Sequence, residues 1–499
     1  MEAAGTPAGT VPTAVVVGGG ISGLLAARTL ARAGVRTTVL EASGAWGGCV
    51  GSHTVAGLTL DSGAESFATR SSAVAELAAE LGLADAIVAP NPGGAWVQLP
   101  DGPRELPRTG VLGIPANPWD PEVRRSLGLA GSLRASIDRL LPASRGTKAA
   151  AVSVSALVRA RMGRRVLERL VAPVVGGVHS ADPDVIDIDV VAPGLRAGIR
   201  AHGSLAAAVA AQRNSGSGAP GKAAPTGGGA VPAAPSPGLQ KAGSAVAGLR
   251  GGMHTLIAAL LAELRGQGAT LLADTRADSV ERSADGWRVS AGGAAYDAGL
   301  LVVAVEGPAA VGLLAGALPE LAGHRPDAGP DVSLVTLVLD LPPLDARPRG
   351  TGVLVAPQSP GIHAKALTHA TAKWGWLADQ AGAGTHVLRL SYGRGDARHG
   401  AAPAGPEPRS DAELFEAALK DASSLLSVRI AAGDVVDWDI VRWGGALPFA
   451  SLGHKRRVAE VRGICAADGT VAVVGGWLSG NGLAAIVADT PKQVRQLLS

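Results

Sequence analysis

The feature that most constrains this chain is a glycine triplet set between two secondary-structure signals near the N-terminus. A β-branched run (Val15, Val16, Val17) feeds directly into Gly18-x-Gly20-x-x-Gly23, and helix-forming sequence over residues 24–33 follows until Gly34 stops it. A second strand over residues 35–40 ends on Glu41. Strand, glycine turn, helix, strand and acid, in that order, form the grammar of a dinucleotide-binding βαβ unit. Gly18 makes the tight turn, Gly20 lets backbone approach a pyrophosphate, and Gly23 allows close packing of helix on strand. The phosphates then rest on the N–H groups that open the helix, at Ile21 and Ser22, where the helix dipole is positive. Glu41, followed by Ala42, is placed to accept a hydrogen bond from an adenosine ribose hydroxyl, and its charge argues against a 2′-phosphate.

Glycine-rich turns arise by chance in a chain with 70 glycines, so the flanking strand, helix and acid carry this reading. With 499 residues, 47% of them hydrophobic and 17% charged, the chain is long enough for two or three domains. A formal net charge of +3 is too thin an excess of base for a nucleic-acid footprint. Arginines number 37 against eight lysines, and heavy use of Ala, Gly and Pro alongside them points to a high-GC bacterial genome. Cys49 and Cys465 have no CxxC partner, which favours a reducing, cytoplasmic setting. Glu2 and the lack of a basic n-region do not read as a signal peptide. Uncharged stretches at 3–27 and 470–488 are broken by glycine clusters and read as buried strand, turn and helix start rather than as membrane spans.

Further along, residues 72–81 carry apolar positions at helical spacing, and Arg70 precedes them. Residues 124–212 are mostly helical and amphipathic. A run of Gly, Ala, Pro and Ser over 213–247 has too few large apolar side chains to offset the entropy of ordering, so a flexible loop is expected there. Strands are predicted at 270–272, around Val280, at 287–290 and at 300–305, the last a continuous apolar run suited to a parallel strand buried on both faces. Strand-rich sequence occupies 332–392, a helix is predicted over 411–426, and residues 471–487 repeat the pattern of strand, glycine turn (Gly475, Gly482) and helix.

After Glu41 the chain continues through Gly47-Gly48 and then Asp61-Ser-Gly63-Ala64-Glu65-Ser66, which resembles the extended flavin fingerprint of the FAD-dependent amine oxidase superfamily. Cys49 stands where that superfamily carries Arg or Lys. Further matching pieces are Glu168-x-Leu170-x-x-Pro173-x-x-x-Gly177-x-x-x-x-Asp182, Leu249-Arg-Gly-Gly-Met253, Arg442-Trp443 through Leu447-Pro448, and Gly453-His454. Together they resemble the bacterial oxygen-dependent protoporphyrinogen and coproporphyrinogen oxidases. The resemblance implies an α/β (overall α+β) protein with a discontinuous Rossmann-like FAD domain (11–88, 248–310, 430–499), a sheet-based substrate domain (89–123, 311–429) and an inserted helical domain (124–212). It implies cofactor contacts at Gly18, Gly20, Ile21, Ser22, Gly23, Glu41, Ala42, Gly47, Gly48, Gly63, Ala64, Glu65, Ser66, Val280, Trp443, Gly475, Gly482 and Leu483. Also implied are a porphyrinogen substrate with O2 as acceptor, a cytoplasmic monomer or homodimer, and transient contact with a ferrochelatase or a membrane surface.

Oxidation of a porphyrinogen by such a family passes hydride from a methylene bridge to the flavin, with oxygen reduced to hydrogen peroxide. The cofactor carries the hard step, so the protein must supply placement and a water-poor pocket. In keeping with this, the sequence has no nucleophile elbow, no paired carboxylates at helical spacing and no HExxH, and no side chain is assigned to the chemical step. Arg70, Lys365, His369 and His179 are the substrate-binding candidates, Lys365 lying on a strand-like stretch over 362–368 where His363 and His369 would share a face. No metal site is expected. Rival readings are an amine oxidase, for whose aromatic cage a chain with 3 Phe, 2 Tyr and 9 Trp has little material, a carotenoid desaturase, and a GDP-dissociation-inhibitor-like binding protein without flavin chemistry.

Overall fold

The computed structural model describes residues 11–107, 111–216, 245–393, 410–445, 451–480 and 482–499. Most of the run expected to be a loop lies outside these residues, but its ends do not. The helix Leu205–Gly216 continues past 212, and the strand Val246–Leu249 begins before 248.

A five-stranded, wholly parallel sheet is gathered from across the chain in the order Thr270–Leu272, Arg36–Leu40, Thr13–Val17, Leu300–Val303, Val471–Val473. The strands Thr13–Val17 and Leu300–Val303 are apolar almost throughout because both sheet faces are covered. One face receives Leu24, Leu25 and Leu30 of the fingerprint helix Ile21–Arg32, together with Leu256, Leu260 and Leu264 of His254–Gly266 and Ile486 and Val494 of Leu483–Leu497. The other face is covered by an antiparallel meander (Ala277–Ser283, Gly286–Ala291, Ala294–Ala298) whose Trp287 and Val289 pack with Val458 and Val461 of the helix His454–Asp468. Each buried Leu of this kind contributes about 1.5–3 kcal/mol relative to exposure.

A seven-stranded sheet stands against this unit, in the order Val435–Trp443, Val332–Asp340, Thr385–Tyr392, Ala366–His369, Gly352–Val355, Trp96–Leu99, Gly102–Glu105. Its two faces differ in kind. Val335, Leu337, Leu339, Leu388, Leu390 and Tyr392 form an apolar face with Leu414, Ala418 and Leu425 of the helix Asp411–Leu426. The alternate positions Arg389, Asp439 and Trp443 point the other way, toward the fingerprint segments. Residues 435–443, placed with the FAD domain by the sequence reading, pair instead with Val332–Asp340 in this sheet. The next residues after 445 do return to the parallel sheet, through His454–Asp468 and Val471–Val473.

The helices Pro121–Ser136, Val154–Arg161, Ala172–His179, Leu195–His202 and Leu205–Gly216 form a separate helical layer. Asp120 caps the first by accepting the Glu122 N–H at 3.0 Å, with Pro121 at the first helical position. A π-helical turn at Leu167–Val171 precedes Pro173, whose missing N–H cannot continue the regular hydrogen-bond ladder. At the centre of the layer Arg161 and Asp138 are both fully buried. Arg161 Nε donates to Asp138 Oδ1 at 2.5 Å, and its other N–H groups reach the carbonyls of Asp138, Pro142, Arg145 and Gly203. Asp138 Oδ2 in turn accepts the Ala206 N–H at 2.9 Å. Such a pair is tolerable in the interior only because every donor and acceptor is met. No described helix is long and apolar enough to cross a membrane.

Arg161→Met should therefore strand a buried carboxylate and cost about 3–5 kcal/mol in chemical denaturation. Arg288→Met, which breaks the exposed pair with Asp297, should leave the denaturation midpoint unchanged.

Candidate functional site

The first and last strands of the parallel sheet run in the same direction, so the glycine turns that follow them open at the same edge. At the first turn Gly18 has φ +106°, and a Cβ there would lie 2.8 Å from the Ala304 carbonyl oxygen. A Cβ on Gly23 would lie 1.8 Å from the Gly18 carbonyl oxygen, so neither position admits a side chain. Gly20 differs: it caps Ile21–Arg32, and nothing lies within 4 Å of the position its Cβ would take. The first N–H groups of that helix, at Ile21 and Ser22, have no intrahelical acceptor, and a pyrophosphate meets both requirements.

Glu41 Oε2 accepts the Gly19 N–H at 2.7 Å, while Oε1 accepts from Ser43 N–H and Oγ–H at 2.8 and 2.7 Å. The acid thus closes the glycine loop, and its remaining lone pairs can still take a ribose hydroxyl. Ala42 is exposed next to it. The second glycine pair is laid against the first loop, with Gly47 N–H donating to the Gly19 carbonyl at 2.9 Å and a Gly48 Cβ position 3.4 Å from Gly20 Cα. Cys49, next in the chain, is exposed to solvent. Its surroundings push the thiol pKa up, so at neutral pH Cys49 brings no charge to a phosphate.

The Cys49 carbonyl accepts the Ala64 N–H at 2.7 Å, and a Cβ on Gly63 would lie 2.3 Å from the same oxygen. The turn over residues 61–66 is therefore stacked on the second glycine pair as that pair is stacked on the first. Asp61 ties this turn to the helix His254–Gly266 through the N–H groups of Met253 and His254 at 2.9 and 3.0 Å. Trp443 Nε1 donates to the Ser62 carbonyl at 3.0 Å, which brings the expected tryptophan to the turn. Glu65 is held by Arg389 of the seven-stranded sheet, whose Nη2 lies 3.1 Å from Oε2, and by Lys373 of the short helix Ala370–Lys373, whose Nζ lies 2.5 Å from Oε1. Burial alone would raise the Glu65 pKa, but Lys373 and Arg389 more than offset it and hold the carboxyl at about 2. Arg389 Nη1 also donates to the Gly63 carbonyl at 2.8 Å. Ser66 follows in the same turn, half buried. At the far turn, Gly475 (φ +140°) follows the strand Val471–Val473, and Gly482 caps Leu483–Leu497, whose first residue Leu483 is buried in the core beneath the fingerprint helix.

Sequence reasoning missed Lys373 and Arg389. The available signal was a charged residue inside the alternating strand Thr385–Tyr392 and a lysine in a chain with only eight of them.

Other expected residues lie elsewhere. Val280 is buried in the meander core with Trp287 and Val289, so its side chain faces hydrophobic packing rather than a ligand. Lys365 is 1% exposed and donates to Ser180 Oγ and to the Gly393 carbonyl, joining the end of the helix Ala172–His179 to the sheet instead of lining a rim. The strand in this region is Ala366–His369, shorter than expected, and His363 lies outside it with its N–H donated to Asp421. His369 points to the face that packs on Asp411–Leu426, opposite Arg389. There its Nε2 lies 3.1 Å from His386 Nδ1, and desolvation, with help from His386 and Arg347, lowers its pKa to about 3. Arg70 is exposed beyond the short strand Phe67–Ala68. His179 closes its helix, and its side chain lies outside the described residues.

Gly20→Val should leave the fold and its melting temperature intact, since the new side chain enters open space, yet abolish flavin retained through gel filtration. Acid should act in two stages. His369, neutral when folded, takes a proton more readily when unfolded, so its contribution is lost as pH falls below about 6.5. Glu65, ionised when folded, contributes on the order of 3 kcal/mol above pH 4.5, lost as pH falls toward 2. The stability gap between wild type and Glu65→Gln, read by denaturant titration from pH 6 down to pH 3, should narrow only below pH 4.5.

The chain matches the family of flavin containing amine oxidoreductases over residues 21–486. It is 31% identical over 505 residues to a coproporphyrinogen III oxidase of Propionibacterium freudenreichii subsp. freudenreichii, covering 95% of this chain and 88% of that one. To a protein of the same name from Mycobacterium tuberculosis it is 30% identical over 502 residues, covering 97% and 96%. A crystal structure from Exiguobacterium sp. 255-15, provisionally assigned as a protoporphyrinogen oxidase, superposes with a TM-score of 0.78 at 23% identity over 98% of this chain and all of the other. Cyclohexylamine oxidase from Brevibacterium oxydans shares the fold at a TM-score of 0.64 and 17% identity, over 98% and 99% of the two chains. Stacked glycine turns, an acid that closes the first of them and these matches lead to one assignment: the chain belongs to the flavin-containing amine oxidoreductase family and is an oxidoreductase whose cofactor is FAD.

Proposed function

We propose that the chain oxidises coproporphyrinogen III to coproporphyrin III, with O2 as acceptor and hydrogen peroxide as by-product. The observation that carries this reading is the match along almost the whole chain to proteins named coproporphyrinogen III oxidase. The character of the fingerprint turn supports it. Glu65 of this turn is held in the ionised state by two cations, so it is a poor proton acceptor at neutral pH. Bound FAD supplies the hydride acceptor. The chain's own contribution is placement: the three glycine turns shape the cradle, Asp61 and Trp443 fix the turn beside it, and Arg389 holds that turn against the seven-stranded sheet.

A substrate with four propionates needs cations at the pocket rim. Lys365 and His369 are withdrawn from that role by their burial and orientation, which leaves exposed Arg70 as the candidate. With anaerobically prepared substrates, coproporphyrinogen III should give fluorescent product, oxygen uptake and peroxide, at higher kcat/KM than protoporphyrinogen IX. Arg70→Ala should raise KM more than it lowers kcat. A preference for protoporphyrinogen IX would overturn the substrate and keep the oxidase; inertness toward both would redirect the reading to the amine oxidases.

A further inference from the structure

The helix Ala370–Lys373 is a single turn with a buried histidine at one end and an anchor of the flavin fingerprint at the other. His369 is the residue from which it starts, and Lys373, its last residue, holds Glu65. His369 is 1% exposed and His386 5%, and their rings meet edge to face, with Nε2 of the first 3.1 Å from Nδ1 of the second. One proton lies between two nitrogens at that distance. Asp345 Oδ1, 3.3 Å from His386 Nε2, favours the tautomer in which His386 carries its proton on Nε2 and accepts the His369 Nε2–H through Nδ1. His369 Nδ1 is then a bare lone pair, and it is buried without a partner. Thr371, in the same helical turn, accepts the Val387 N–H at 3.2 Å, so the helix and the strand Thr385–Tyr392 are joined beside the pair.

The surroundings admit no further charge. Asp345, Arg347 and both histidines line a cavity of about 320 Å³, with Asp379 of the helix Gly375–Ala381 on another wall. Asp340 ends the strand that pairs with His386, and Arg389, on the strand of His386 itself, points to the opposite face. Arg347 opposes a proton on either ring. A proton added to the closed pair would be stranded on His369 Nδ1 in a desolvated place with no acceptor. Only a state in which the rings part and reach water takes it as an ordinary histidine does.

We propose that the histidine pair is an acid-operated latch on the flavin: when the pair takes an extra proton the rings part, the single helical turn shifts, and Lys373 releases Glu65, which frees the turn over 61–66 and speeds the loss of FAD. His369 binds a proton at about 3 when closed and near 6.5 once open, so the closed state holds its full advantage above pH 6.5 and loses it as pH falls from 6.5 toward 3. Glu65 stays ionised over most of that range, so acid acts by moving Lys373 and not by neutralising its partner. The latch does not depend on which porphyrinogen, or whether any, is the substrate.

The test is the rate of FAD release from the loaded full chain, read as the rise of free-flavin fluorescence after dilution at pH 7.5 and at pH 5.0. The wild type should lose FAD about thirtyfold faster at pH 5.0, the change in open fraction for one imidazole that titrates at 6.5 when open and at about 3 when closed. His369→Asn/His386→Gln, which has no titrating ring at this place, should change by less than about threefold between the two. Lys373→Met should release FAD as fast at pH 7.5 as the wild type does at pH 5.0. Because a double substitution in the core can fail to fold, hydrogen exchange of the wild type gives a second reading. Peptides covering 366–373 and 385–392 should lose protection at pH 5.0 beyond the intrinsic change in exchange rate, while the strand Val471–Val473 keeps it. Equal release at the two pH values, a histidine variant with wild-type pH dependence, or full protection of 366–373 at pH 5.0 would each overturn the proposal, as would global unfolding of the wild type at pH 5.0 seen by circular dichroism.

Discussion

The joint between the flavin fingerprint and the seven-stranded sheet rests on one carboxylate. Glu65 belongs to a turn stacked on Cys49, which adjoins the glycine pair stacked on the first loop, so whatever fixes Glu65 fixes the inner end of that stack. Arg389 reaches it from the sheet and Lys373 from the short helix that follows the strand Ala366–His369, and Arg389 also donates to the Gly63 carbonyl of the same turn. Two cations on one acid more than offset the desolvation of the carboxylate. Because Arg389 comes from a different sheet and Lys373 from the helix that follows one of its strands, the turn's position depends on how the two sheets are set against each other.

Much of the dinucleotide unit was legible because its rules are local. Strand, turn, helix and acid lie within residues 13–41, and Gly18 and Gly23 answer to contacts that a side chain would prevent. The helix Asp411–Leu426 could be bounded from sequence for a similar reason, since Ser410 and Glu413 form a reciprocal cap at its start. The apolar run over 300–305 announced a strand covered on both faces, and the strand Leu300–Val303 lies inside the parallel sheet.

The rest was set by pairing across long separations. Lys373 and Glu65 are 308 positions apart, and no local pattern joins them. His369 was misassigned by sheet geometry: neighbouring residues on a strand face opposite ways, so Thr368 pairs beside Arg389 while His369 turns to the helix side. Lys365 reads from sequence as a substrate-facing base because lysines seldom lie fully buried, and only the approach of Ser180 and Gly393 explains why this one does. Residues 435–443 are alternating and β-branched enough to be a strand, but which sheet they join is decided by Val332–Asp340.

The parallel sheet draws its five strands from residues 13–17, 36–40, 270–272, 300–303 and 471–473. During synthesis the first βα unit leaves the ribosome long before the strand that borders Leu300–Val303, and the turn at Gly475 and Gly482 comes last of all. Contacts so distant in sequence form slowly, and a nascent chain holding only the first glycine loop has half a cradle. A chain truncated before residue 471 would therefore lack the edge strand that closes the sheet together with the glycine turn that follows it.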